Sequence, residues 1–154
     1  MQEPEIYNIN LPISAKDFPV LVKNHVKYCM LLNHVGIINE SEEKAVRFYH
    51  GILGFEKARE FVVPTKLSEQ LFSVSREIKV LVFERDSIKL EVFICHECRQ
   101  RFPDYSHFGF LLDDFHSIKE KAQQMGVLIV GITDEKTVYF LKDFSGNLIE
   151  IKPK

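Results

Sequence analysis

The chain has 154 residues, 45% of them apolar and 27% charged, with a formal net charge of −2. That composition suits a folded soluble domain and argues against disorder. With Lys and Arg scattered along the chain, it offers no basic surface for nucleic acid.

The first twelve residues carry Glu3 and Glu5, and no basic residue precedes Lys16. Neither a secretory signal nor a membrane span is expected, because the apolar runs are only strand-sized. Three cysteines, Cys29, Cys95 and Cys98, are an odd number in a mid-sized chain. They suit a reducing, cytoplasmic setting better than a disulfide scaffold. Residues 1–29 read as an N-terminal extension with a short helix over 14–27 despite Pro19, packing on an open sheet edge or a dimer neighbour. Residues 30–154 read as a single domain.

The domain opens with His34-Val35-Gly36-Ile37 in an apolar strand. A helix follows, capped by Ser41, with Glu42 and Glu43 in its first turn and Ala45, Phe48, Tyr49 and Ile52 at helical spacing. Strands are expected near 55–63, 78–84 and 88–94, with a tight turn at Arg85-Asp86-Ser87. Residues 64–76 carry no clear pattern; a stretch this long beside a cleft suggests a lid or binding loop. Residues 95–106 form a polar link containing Pro103.

The pattern then repeats. His107-Phe108-Gly109-Phe110 begins a second strand, followed by a helix with the stripe Phe115, Ile118, Ala122 and Met125 and a stop at Gly126. Strands near 127–132, 137–142 and 147–152 complete it, the last two joined by the turn Asp143-Phe144-Ser145-Gly146-Asn147. Gly54 follows His34 by 20 residues and Gly126 follows His107 by 19, a near-constant gap between matching landmarks. The expectation is an α+β fold of two tandem βαβββ modules, about 30–94 and 107–152. Together they form an open, cleft-shaped mixed sheet with helices on its outer face.

Side-chain alternation along a strand then places four ionisable residues. Val35 and Ile37 pack against the first helix, so His34 faces away; Leu90 and Val92 do the same for Glu91 and Phe93. In the second module Phe108, Phe110 and Leu112 turn His107 outward, and Ile149 with Ile151 does so for Glu150. One imidazole and one carboxylate per module thus lie on the face opposite the helices. An unpaired carboxylate in a desolvated cleft costs several kcal/mol, order of magnitude, and a divalent cation would supply its partner. Two nitrogen and two oxygen donors, His34, Glu91, His107 and Glu150, suit Zn, Ni, Co, Mn or Fe(II) better than Ca or Cu(I). Phe93 is a candidate pocket wall, whereas Phe48 and Tyr49 belong to the core. Cys95-His96-Glu97-Cys98 has the spacing of half a zinc or redox site, without a second pair to complete it.

These residues resemble the vicinal-oxygen-chelate superfamily, which includes glyoxalase I and methylmalonyl-CoA epimerase. The matching segments are Leu32-Asn33-His34-Val35-Gly36-Ile37, Phe48-Tyr49 through Leu53-Gly54-Phe55, and Lys89-Leu90-Glu91-Val92-Phe93, then His107-Phe108-Gly109-Phe110 and residues 143–151. The resemblance implies metal ligands at His34, Glu91, His107 and Glu150, the set of the glyoxalase I subgroup; the epimerase subgroup usually has glutamine where this chain has Glu91. It implies a lactoylglutathione lyase-like reaction on a small molecule with vicinal oxygens, by proton abstraction next to a carbonyl. Glu150 is the expected base, with Glu91 its candidate partner on the opposite side. A methylmalonyl-CoA epimerase-like activity and a metal-free small-molecule binding or resistance protein are the alternatives on the same fold. A homodimer is implied, with the site within one chain or across two. No convincing basic set for a substrate carboxylate or phosphate stands out; Lys66, Arg76, Lys79 and Arg99 are available.

Overall fold

A computed structural model describes residues 32–98, 105–132 and 136–154, all within the compact unit Leu32–Lys154. The expected extension over 1–29 with its helix, Cys29, and the middle of the 95–106 link lie outside the described residues.

Each half begins with a short strand whose inward side chains meet a helix. Strand β1 (Val35–Asn39) leads into α1 (Glu42–Ala45), which widens into a π-helical stretch, Val46–His50. Ser41 caps it as its sequence suggests: its Oγ accepts from the Lys44 amide at 3.2 Å. Ala45, Phe48 and Tyr49 are fully buried, as is Leu90 beneath them. The chain leaves the helix through Gly54, whose φ of +69° needs a residue without Cβ. In the second half β5 (His107–Leu112) precedes α3 (Phe115–Gln124), which buries Phe115, Ile118 and Ala122 and ends at Gly126 with φ +68°.

The remaining strands are β2 (Glu56–Val63), β3 (Ile78–Arg85) and β4 (Ile88–Ile94), then β6 (Leu128–Ile132), β7 (Thr137–Lys142) and β8 (Leu148–Pro153). They form two four-stranded mixed sheets of identical order, β1-β4-β3-β2 and β5-β8-β7-β6. In each, the first and last strands of the module run side by side in parallel while the other neighbours are antiparallel. The α+β reading as two open-sheet modules is therefore correct.

One element departs from it. Residues after Pro64 are not an irregular loop but helix α2 (Thr65–Phe72), so the first module is βαβαββ. The helix lies on the face opposite α1, where Val63, Ile78 and Val80 form a small second core with Phe61, Val74 and Phe93. Phe72 meets Phe93 edge-on at 5.5 Å.

The main core is shared between the halves. Phe55 packs on Phe110 at 5.8 Å and Phe48 on Phe144 at 6.1 Å. A polar clasp reinforces the junction: buried Asp143 accepts from Asn39 Nδ2 at 2.8 Å, the Tyr49 hydroxyl at 2.7 Å and Asn147 Nδ2 at 2.7 Å. Burial and the Asp143 carboxylate together hold the Tyr49 phenol well above its ordinary pKa. Arg85 adds a second bridge, donating to the Leu53 carbonyl and, at 2.8 Å, to Asp114.

Candidate functional site

Parallel pairing of first and last strands decides where the ionisable residues fall. Gly36 lies opposite Glu91 in β1–β4, and Gly109 lies opposite Glu150 in β5–β8. His34 and His107 each precede that glycine by two residues, hence share its face. Each module thus presents its histidine diagonally across from its glutamate, in the same register. The alternation argument holds: Val35, Ile37, Leu90 and Val92 pack in the core, as do Phe108, Phe110, Leu112, Ile149 and Ile151.

In the first module the pair is close, with His34 Nε2 3.6 Å from Glu91 Oε2, too long for a hydrogen bond. The Asn33 side-chain amide lies 3.3 Å from the other ring nitrogen of His34. In the second module His107 Nδ1 lies 2.8 Å from the Tyr105 carbonyl. A carbonyl only accepts, so Nδ1 is the donor in this contact and Nε2 is the ring nitrogen left to face a ligand. The His107 ring rests edge-on against Phe140 at 5.2 Å, and Phe140 is the cross-strand neighbour of Glu150. Glu150 accepts from Lys152 at 2.9 Å. The Glu150 carboxylate lies over Gly109, where a Cβ would stand 3.6 Å from Oε2, in ordinary contact.

The four residues therefore come as two pairs. Among the described residues of one chain, no three His, Cys, Asp or Glu side chains converge closely enough to hold a metal ion.

A cleft of about 740 Å³ is lined by residues of both modules, and of the four ionisable residues only His107 borders it. Its walls include Gly36 and His107 on the strand faces, Phe93 as expected, and Phe72 with Val74 from α2 and the turn after it. Arg76 brings a guanidinium to the same lining. The sequence places residues 64–76 beside a cleft but as a loop; that part of the segment is helix α2 was not evident from it. Cys95 and Cys98, whose spacing suggested half a zinc or redox site in a chain suited to a reducing setting, are joined in a disulfide at the end of β4.

The sequence profile of the Glyoxalase/Bleomycin resistance protein/Dioxygenase superfamily matches residues 31–151. The chain belongs to that superfamily. Solved superfamily structures share its fold at low identity. A glyoxalase family protein from Enterococcus faecalis superposes with a TM-score of 0.58 at 24% identity, covering 79% of this chain and 95% of that one. The fosfomycin resistance protein FosX from Mesorhizobium loti gives 0.59 at 17%, covering 82% and 94%. The trypanothione-dependent glyoxalase I of Leishmania major gives 0.58 at 15%, covering 81% and 87%. No curated protein sequence matches the chain. Superfamily members include enzymes acting on small molecules, and a divalent metal is common among them. Among the described residues no helix is long and apolar enough to cross a membrane.

Proposed function

We propose that the chain is a divalent-metal-dependent small-molecule enzyme of glyoxalase type, with His34, Glu91, His107 and Glu150 as the metal donors. The observation that carries this reading is the repeated diagonal of one imidazole and one carboxylate per module on the sheet face opposite its core side. Two details of the donor set fit an ion. The 3.6 Å between His34 Nε2 and Glu91 Oε2 is close to the roughly 3.4 Å edge of a tetrahedral site with ~2.1 Å bonds. The Tyr105 carbonyl holds Nδ1 of His107, which is how a second-sphere acceptor orients a ligating imidazole.

Because the donors come in pairs, the complete site is proposed to form where the His34–Glu91 half of one chain meets the His107–Glu150 half of a partner chain in a homodimer. A bound ion would lower the cost of placing negative charge on substrate oxygen. The protein groups do the rest: Glu150 leaves Lys152 and takes the proton from the carbon next to the carbonyl, while Glu91 faces it from the other half. Phe93 and Phe72 give the neighbouring cleft an apolar wall, and Phe140 packs against the His107 ring.

Purified protein supplied with Ni, Co or Zn should bind one ion per chain by elemental analysis. Glu150→Gln should weaken that binding roughly 10- to 100-fold and abolish metal-dependent isomerisation of a hemithioacetal. Full activity in Glu150→Gln would remove Glu150 as the base. A second reading, a metal-free binder, draws on the apolar wall that Phe72 and Val74 give the cleft. Failure to take up any of the three ions would decide for it.

A further inference from the structure

Cys95 closes the last rung of β4, its amide donating to the Asn39 carbonyl of β1 at 2.8 Å, and the Cys98 amide turns back to the Cys95 carbonyl at 3.2 Å. Cys95 is buried, Cys98 is exposed, and both border the cleft. Arg76 Nη2 stands 2.8 Å from Cys95 Sγ and 3.8 Å from Cys98 Sγ. The same guanidinium reaches Glu97, with Nη1 3.7 Å from Oε2. As a staple this disulfide achieves little, because it closes a loop of three-residue separation and so removes little chain entropy. A cation against the buried sulfur of a pair whose other sulfur is open to solvent is instead the setting of a reactive dithiol.

We propose that Cys95, Cys98 and Arg76 form a thiol–disulfide exchange site on the cleft, whose co-reactant is a low-molecular-weight thiol. The incoming thiolate attacks Cys98 Sγ, the sulfur open to solvent. As its bond to Cys98 forms, the Cys95–Cys98 bond breaks and the electron pair passes to Cys95 Sγ, where the Arg76 guanidinium receives the negative charge. A second thiolate then attacks the small-molecule sulfur of the mixed disulfide, releasing the small disulfide and leaving Cys98 as thiolate. Two small thiols are oxidised, the protein pair is reduced by two electrons, and the two thiol protons finish on Cys95 and Cys98. Oxidation by a small disulfide runs the same steps in reverse. None of this involves the proposed metal donors, so it stands or falls independently of them.

The test uses the full chain carrying Cys29→Ser, so that only this pair is counted. Oxidised protein is mixed with reduced glutathione at neutral pH, quenched with an alkylating reagent at intervals, and digested for mass spectrometry. The expected course is a transient glutathione adduct on Cys98, then two alkylated thiols, with reclosure on adding glutathione disulfide. Arg76→Met should slow opening at least about tenfold, the loss of one charge-assisted contact to the leaving sulfur. Arg76→Lys, which keeps the charge, should fall between. Circular dichroism establishes that the variants fold; should Arg76→Met unfold, the site of the adduct and the Arg76→Lys rate decide. A pair that stays closed, an adduct found on Cys95, or opening unchanged in the Arg76 variant would each overturn the proposal.

Discussion

Asp143 takes five hydrogen bonds: from Asn39 Nδ2, the Tyr49 hydroxyl, Asn147 Nδ2, and the amides of Ser145 and Asn147. A buried carboxylate needs such partners, and each donor is in turn tied to its presence. Tyr49→Phe removes one of them and should destabilise the domain by about 1–3 kcal/mol in denaturant titration. The phenol also sets an alkaline limit. Its pKa is raised in the folded chain, so its contribution is complete below about pH 10, the unfolded value, and is lost as pH climbs toward the folded one. Wild-type stability should therefore fall above pH ~10, and Tyr49→Phe should lose this part of the fall. At this scale the sequence was half legible. Residues 143–147 read as a turn from Gly146 and Asn147, but the clasp was hidden, since Asn39 and Tyr49 lie 104 and 94 positions away.

Strands β3, β4 and β8 and the α1 and α3 helices were readable because each buries a face and so shows its period. Expected bounds of 78–84 and 88–94 compare with Ile78–Arg85 and Ile88–Ile94. Helix α2 escaped for a physical reason. Its one buried residue is Ser68, while Leu67, Leu71 and Phe72 are partly exposed, so its hydrophobic pattern points away from its anchored side. Ser68 Oγ sits within reach of three carbonyls: Thr65 at 3.2 Å, Val74 at 2.5 Å, and Arg76. It thereby ties the helix to the segment that holds Arg76. Ser68→Ala should cost about 1–3 kcal/mol by leaving buried acceptors unserved. Hydrogen exchange localised to residues 65–76 is the measurement that distinguishes a loosened α2 from global destabilisation. At the C-terminus of α2, Ser73 adopts left-handed φ 56°, and Ser73→Gly should stabilise the chain by about 0.5–1 kcal/mol in the same titration.

For the whole molecule, the doubled plan and the parity of the four ionisable residues could be read from His-x-Gly spacing and strand alternation. Their distribution as two pairs could not, because alternation fixes a face and says nothing of the distance between modules. If the halves combine across two chains, metal affinity must be linked to association. Apparent affinity for Co or Ni should strengthen as protein concentration is raised through the dimer dissociation constant, and the ion should in turn raise the dimer fraction in sedimentation. Affinity independent of protein concentration throughout that range would place the site in one chain.

In both sheets the closing strand of a module returns to lie directly against its opening one. A histidine near the start and a glutamate near the end are thereby neighbours before anything else assembles. Each half carries its own pair of donors, so exchanging or reordering halves would carry those donors along, provided the core they share is rebuilt. A primitive peptide of one such half, doubled by symmetry, would already have owned the full set.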